Sequence, residues 1–228
     1  KYHQLILEEE LEKEKGLTFL YQKKYLKLSK ERGLMEKINN IEITYIYNYL
    51  KENLKPKRYI HTLGVVSTAK KLAKLNGVDE DKAELAALCH DVAKNLTPEE
   101  LMNIIKKNNI ELTIDEKKTP ELWHGIVSWI LAKEKFNIDD KEVLEAMRWH
   151  TTGKENMSTL DKIIYIADMI EPSRTYDGVE EIRQKVLENL DEGVLMGMDH
   201  TIKYLLSREQ LIDLNTVKAR NYLILNKA

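Results

Sequence analysis

Leu88-Cys89-His90-Asp91-Val92-Ala93-Lys94 closes an apolar run with a histidine, an aspartate and, three residues on, a lysine. Two adjacent ligand-type side chains in apolar surroundings can form a buried hydrogen-bonded pair. With more His and Asp brought from a distance, they can instead begin a metal site. Outward from this stretch the chain reads as helices with clear punctuation. Upstream, Asp79 caps a helix from Glu80 through His90, and Asn76-Gly77 stops one running from about Arg58 to Leu75. Pro56 ends a helix over Ile41 to Leu54, because its ring removes a backbone donor and restricts the residue before it. Downstream, Thr97-Pro98-Glu99-Glu100 supplies an N-cap, an N1 proline and first-turn acids for a helix to about Asn108. Residues 110 to 118 read as a loop with at most a short extended piece. Thr119-Pro120-Glu121 opens a helix that carries His124 to Phe136, and Asp139 caps the next, which ends at His150-Thr151-Thr152-Gly153. Ser158 or Thr159 starts a helix to Ile170 that Pro172 stops, and two or three more follow, roughly Val179 to Leu190, Gly193 to Ser207 and Thr216 to Asn226. No β-branched alternating run of useful length interrupts the pattern, so the expected fold is an all-α helical bundle.

Composition narrows the class. At 228 residues and 43% hydrophobic, the chain can bury a substantial core without metal or disulfides, so a metal would serve chemistry. Its 36 basic and 38 acidic residues leave a formal charge of -2, and no global field draws it to a nucleic-acid polymer or an anionic membrane. Cys89 is the only cysteine, which excludes an internal disulfide and suits a reducing compartment. No apolar run nears the roughly 20 residues of a membrane span, and the charged N-terminus lacks a signal-peptide core, so the expected location is cytoplasmic. Residues 1–40 are rich in Lys and Glu, with leucines only loosely at helical spacing. They read as a helical extension or precursor remnant ahead of a domain over 41–228.

The site candidates are His61, His90-Asp91, His124, His150 and Asp168, each among apolar neighbours on a different helix or helix end. Any one such histidine is more simply a satisfied core residue. The full set is a costly coincidence, and a bundle can aim all of them at one spot. His3 and His200 stay outside it.

The order His61, His90-Asp91, Asp168 resembles the HD superfamily of metal-dependent phosphohydrolases, and His124 and His150 resemble its dinuclear branch. More closely, Arg58 to Val65, His90 to Lys94, Arg148 to Gly153, Leu160 to Pro172 and Ala219 to Tyr222 look like the YqeK-type family. These are bacterial hydrolases that split diadenosine tetraphosphate symmetrically into two ADP. The resemblance covers about Ile41 to the C-terminus. It departs where the family commonly has His-Pro before the last helix and this chain has Leu214-Asn215.

The resemblance implies that His61, His90, Asp91 and Asp168 hold a primary metal, with iron the native ion. His124 and His150 would bind a second ion or contact substrate phosphate, and Asp91 would bridge two ions. The donor set also suits Mn, Co, Ni or Zn, while the absence of thiolate ligands argues against a structural zinc site. A metal can neutralise a polyphosphate and bring a water pKa down towards roughly 7. Lys94 would stabilise developing charge, with Arg58 and Arg174 as further phosphate contacts. A general acid is either unnecessary or supplied by His124 or His150. Tyr176, Trp123 and the segment Leu211 to Thr216, including Leu214 and Asn215, are candidates for the adenosine wall, the last also offering helix N–H groups to an anion. Asp161 is either a partner of a ligand histidine or an N-terminal helix charge.

The expected partners are therefore a dinucleoside polyphosphate and its ADP product, and a homodimer is compatible with them. Two rival readings stand beside this one. The first is another phosphohydrolase on the same scaffold: a nucleotidase, a cyclic-nucleotide phosphodiesterase or a guanosine tetraphosphate hydrolase. The second is a non-catalytic nucleotide-binding regulator.

Overall fold

The structure is a computed structural model and describes residues 37–38 and 41–227. The extension expected over residues 1–40 otherwise lies outside the described residues. The chain divides into two units, residues 1–45 and 46–228. In the first, Lys37–Ile38 (β1) and Ile41–Glu42 (β2) pair antiparallel, which corrects the expectation that the helix begins at Ile41. That helix, α1, spans Ile43–Asn53.

The rest is helical, and the punctuation predicts each helix but α5: α2 (Pro56–Leu75), α3 (Glu80–Cys89), α4 (Pro98–Lys107), α5 (Ile114–Lys118), α6 (Trp123–Phe136), α7 (Lys141–Arg148), α8 (Thr159–Ile170), α9 (Val179–Glu188), α10 (Leu190–Ser207) and α11 (Leu214–Leu225). Among the described residues none of these is long and apolar enough to cross a membrane. The centre is α3, whose residues Ala83 to Cys89 are all buried, flanked by α2 and α7, with α8 packed on α2, α7 and α10. Leu72, Leu85, Leu88, Met147, Ile163 and Tyr165 fill the space between them. Each such aliphatic side chain contributes roughly 1.5–3 kcal/mol by leaving water, so this core forms without help from a ligand.

Several boundaries differ from expectation, each for a local reason. Pro56 does not merely stop α1: it sits in the first turn of α2, where its missing N–H costs nothing. The cap of α7 is Asp140, not Asp139, and its carboxylate accepts from the N–H groups of Glu142 (2.9 Å) and Val143 (3.2 Å). Residues 110–118 are not all loop. Thr113 and Glu116 form a capping box that starts α5, with Glu116 N–H donating to the Thr113 hydroxyl at 3.1 Å and Thr113 N–H to the Glu116 carboxylate at 2.9 Å. Thr119-Pro120 leads into a 3₁₀ turn over Pro120–Leu122, and α6 begins only at Trp123. The last three helices begin or end one to three residues from the expected positions, and Asp213 is the cap of α11.

Candidate metal centre

Four imidazoles stand in a row. His61 on α2, His90 after α3, His150 after α7 and His124 on α6 follow one another with ring centroids 5.7, 4.9 and 5.1 Å apart. All four are buried. Each is turned by its own Nδ1. In His90, His124 and His150 that nitrogen lies 2.6, 2.6 and 2.7 Å from the backbone carbonyl three residues earlier, of Ala87, Glu121 and Met147. In His61 it lies 3.0 Å from the Glu171 carboxylate. A carbonyl or an ionised carboxylate can only accept, so each Nδ1 is the N–H donor, and each neutral ring keeps its Nε2 lone pair for the interior. Gly153, at φ +69°, closes the turn behind His150 by donating its N–H to the Trp149 carbonyl at 2.8 Å.

The Asp91 carboxylate lies along this row and divides it. Its Oδ2 is 2.8 Å from Arg58, 3.5 Å from His90 Nε2 and 3.9 Å from His61 Nε2. Its Oδ1 is 3.2 Å from His124 Nε2, 3.7 Å from His150 Nε2 and 4.0 Å from Lys94. Asp168 adds Oδ1 at 2.9 Å from His61 Nε2, and Arg174 donates to that same oxygen at 2.7 Å. After α3 the backbone continues in tight turns, with Val92 N–H to Cys89 O and Lys94 N–H to Asp91 O. Ser128 on α6 pins this turn by accepting from Ala93 N–H at 3.3 Å. The His90-Asp91 pair is thereby held in the middle of the row.

The charges follow from burial and neighbours. Burial holds His90 low, at about 4, so it is neutral near pH 7. Burial also lowers His124, against the pull of Asp91. His61 goes the other way: burial opposes its charge, but hydrogen bonds to Asp168 and Glu171 outweigh that and raise it. Asp91 and Asp168 are desolvated too, yet the surrounding imidazoles, with Arg174 at Asp168, hold both carboxyls well below the usual range. Burial lowers the Lys94 ammonium.

These residues fit a cation. His90 Nε2 is fully buried with no hydrogen-bond partner. His124 Nε2 and His150 Nε2 face each other at 3.2 Å, and two lone pairs at that distance repel unless a cation or proton lies between them. Two sets of donor atoms are compact enough for an ion, His61-His90-Asp168 and His90-Asp91-His150. Neutral imidazole with carboxylate is the donor set of Fe, Mn, Co, Ni and Zn sites.

A protein-family model described as HD domain matches residues 58–173, which spans every one of these residues. The chain belongs to the HD-domain family. It is 37% identical over 175 residues to a protein of Bacillus subtilis named bis(5'-nucleosyl)-tetraphosphatase, symmetrical, covering 77% of this chain and 94% of that one. A protein of the same name from Halalkalibacterium halodurans is 40% identical over 178 residues, covering 78% and 95%. A crystal structure described as a predicted HD superfamily hydrolase involved in NAD metabolism, from Clostridium acetobutylicum, matches with TM-score 0.79 and 45% identity. The match covers 81% of this chain and 97% of that one.

Within this HD-domain site the structure brings together His61, His90, Asp91, His124, His150, Asp168, Arg58, Arg174 and Lys94. Lys94 Nζ is 3.0 Å from His124 Nε2, so it belongs to the row and is not a free terminal charge. The remaining candidates lie away from the row. Tyr176 packs on His200, with ring centroids 4.6 Å apart. Leu211 and Thr216 line a cavity with Thr151 and Thr152, next to His150. Leu214 is exposed, and Asn215 N–H is taken by the Asp213 carboxylate at 2.8 Å. Trp123 is a core residue, its indole N–H donating to the Glu116 carbonyl. Asp161 serves as the helix charge: its carboxylate accepts from Ser158 N–H at 2.9 Å and meets Lys154 at 3.3 Å.

Sequence reasoning missed Glu171. It is buried against His61 Nδ1, and Ser173 N–H donates to its other oxygen at 2.8 Å. Gly64 on α2 makes the room, because a Cβ there would collide with the Glu171 carboxylate. Arg183 secures the turn by donating to the carbonyls of Ile170 (2.8 Å), Glu171 (2.8 Å) and Arg174 (2.9 Å).

Proposed function

We propose that this HD-domain protein hydrolyses diadenosine tetraphosphate and related dinucleoside polyphosphates at the central anhydride, water entering and two molecules of ADP leaving. The observation that supports it most is the row itself: one buried carboxylate, Asp91, serves two pairs of inward-facing imidazoles, with basic side chains at its edges. The names of the relatives agree with the reaction. Iron is the ion we propose for the site.

When bound there, divalent ions supply charge neutralisation for the polyphosphate and acidify a water. The chain's own residues supply the rest. His61, His90 and Asp168 form the anion-rich half of the row, where Asp91 Oδ2 completes the set and Glu171 keeps the His61 ring in its tautomer. His124 and His150 with Asp91 Oδ1 form the second half. Among the described residues it has no other carboxylate, and Lys94 stands within hydrogen-bond distance of His124. This half holds an ion more weakly and is completed by substrate phosphate. Lys94, Arg58 and Arg174 meet the phosphoryl oxygens, where fixed positive charge in a partly dry site stabilises the transition state without reorganisation.

The test is chromatography of products after incubating iron-loaded protein with diadenosine tetraphosphate, beside a chelated control. ADP as the sole metal-dependent product supports the reading. ATP with AMP overturns the symmetric cleavage, and hydrolysis of a mononucleotide, a cyclic nucleotide or guanosine tetraphosphate in its place overturns the substrate.

A further inference from the structure

Two cavities adjoin residues of the row. At the His124 and His150 end, a cavity of about 330 Å³ is lined by Glu121, Leu122, Thr151, Thr152, Leu211 and Thr216, whose chain positions adjoin both histidines. A second cavity, of about 480 Å³, is lined by Arg174, Thr175, Tyr176, Asp177, Glu180 and Arg183. Arg174 joins this second cavity to the row, since its guanidinium donates to the Asp168 carboxylate at 2.7 Å and to the Asp168 carbonyl at 2.9 Å.

The lining of the second cavity suits a nucleoside better than more phosphate. Asp177 puts a carboxylate on its wall that repels a polyanion but accepts from an exocyclic amine or a ribose hydroxyl, while the Glu180 carboxylate is paired with Arg183. Tyr176 offers a ring for a base. His200 backs that ring at 4.6 Å with an interplanar angle of 37°, yet His200 does not line this cavity, so the stacked partner leaves the cavity side of Tyr176 available. The Tyr176 hydroxyl is buried without a hydrogen-bond partner. The turn that carries these residues is fixed by the three carbonyl contacts of Arg183.

We infer that the Arg174–Tyr176 cavity is the second nucleoside subsite, so that a dinucleoside polyphosphate spans the row with one nucleoside at each end. The inference rests on the tetraphosphatase reading and deepens it. Arg174 takes the phosphate next to this nucleoside, Tyr176 stacks on the base, and the turn at residues 172–178 sets the preference for a substrate with two nucleosides over one.

The test compares KM for diadenosine tetraphosphate with KM for adenosine 5'-tetraphosphate, which carries the same phosphates and only one nucleoside. Stacking a base on an aromatic ring predicts that the wild type favours the dinucleotide by about fivefold or more in KM. Tyr176→Ala, and Thr175→Leu, which crowds the cavity from an exposed position with a side chain that cannot stack, are expected to bring the two KM values together. Tyr176→Phe keeps the ring and retains the preference. A wild type that cleaves both substrates with equal KM, or Ala and Leu variants that both keep the wild-type ratio, overturns the subsite while leaving the hydrolase reading intact. A wild type that cleaves neither tetraphosphate overturns both.

Discussion

The two ends of the imidazole row share one carboxylate and differ in almost everything else. At the His61 end, Asp168 and Glu171 bracket the ring at 2.9 and 3.0 Å, and they raise its basicity against the effect of burial. At the His124 end no carboxylate other than Asp91 approaches among the described residues, burial lowers the ring, and a lysine already meets its Nε2 at 3.0 Å. In the proposed site the same side chain is thus a strong ligand at one end and a weak one at the other, by what stands behind it. The lesson is that the ligand residues alone do not set a metal site's affinity. The partners one layer out, and the charge already in place, do so as well.

The sharpest way to break this comparison is to remove the carboxylate that both ends share. Asp91→Ala is expected to lose metal from both halves and at least about three orders of magnitude in kcat, roughly 4 kcal/mol, while far-UV circular dichroism stays native. Metal analysis that still found one ion bound tightly would contradict the sharing. The next largest effect separates the ends. His61→Ala should abolish tight metal binding, whereas His124→Ala should keep the tight ion and lose about a hundredfold in kcat, the usual scale for one group that stabilises transition-state charge. Equal metal loss in the two variants would erase the distinction.

A smaller effect sharpens it. Glu171→Gln keeps the shape beside Gly64 but removes the charge behind His61, and is expected to weaken the tight ion roughly 10- to 100-fold in a competition titration against a chromophoric chelator, leaving the weaker ion unchanged. The smallest effect calibrates the rest. Thr97→Ala breaks the capping box of α4, whose Glu100 N–H meets the Thr97 hydroxyl at 3.3 Å, and should cost about 1 kcal/mol in denaturant unfolding with no change in bound metal. A change in metal content there would show that fold stability and site occupancy are coupled.

Much of this was legible in the chain because helix ends carry their own chemistry. Asp79, Thr97 and Ser158 announce caps through side chains that can bond the first free N–H groups, and the structure uses each. Where two signals compete, the chain alone does not decide. Asp139 and Asp140 are equally good caps by type, and only the register of Val143 against the core selects the second. Pro56 can close one helix or open the next, since both use its fixed φ. The capping box at Thr113 and Glu116 was readable, and was hidden only by the polar sequence around it.

At the site, the candidate ligands showed themselves as buried-type histidines in apolar contexts, but their partners did not. Glu171 carries no periodic signal, and its burial depends on the absence of a side chain at Gly64, 107 positions away on another helix. The carbonyls that orient His90, His124 and His150 belong to the backbone, which a sequence does not distinguish from one residue to the next.

The most direct test of the account is an anaerobic calorimetric titration of metal-free protein with manganese(II) as a divalent probe, run with and without ADP. The account predicts one tight binding event without nucleotide and a second, weaker event that strengthens when ADP is present, because phosphate supplies the negative charge the His124 end lacks. Two equal sites insensitive to ADP, or no tight site at all, would contradict it.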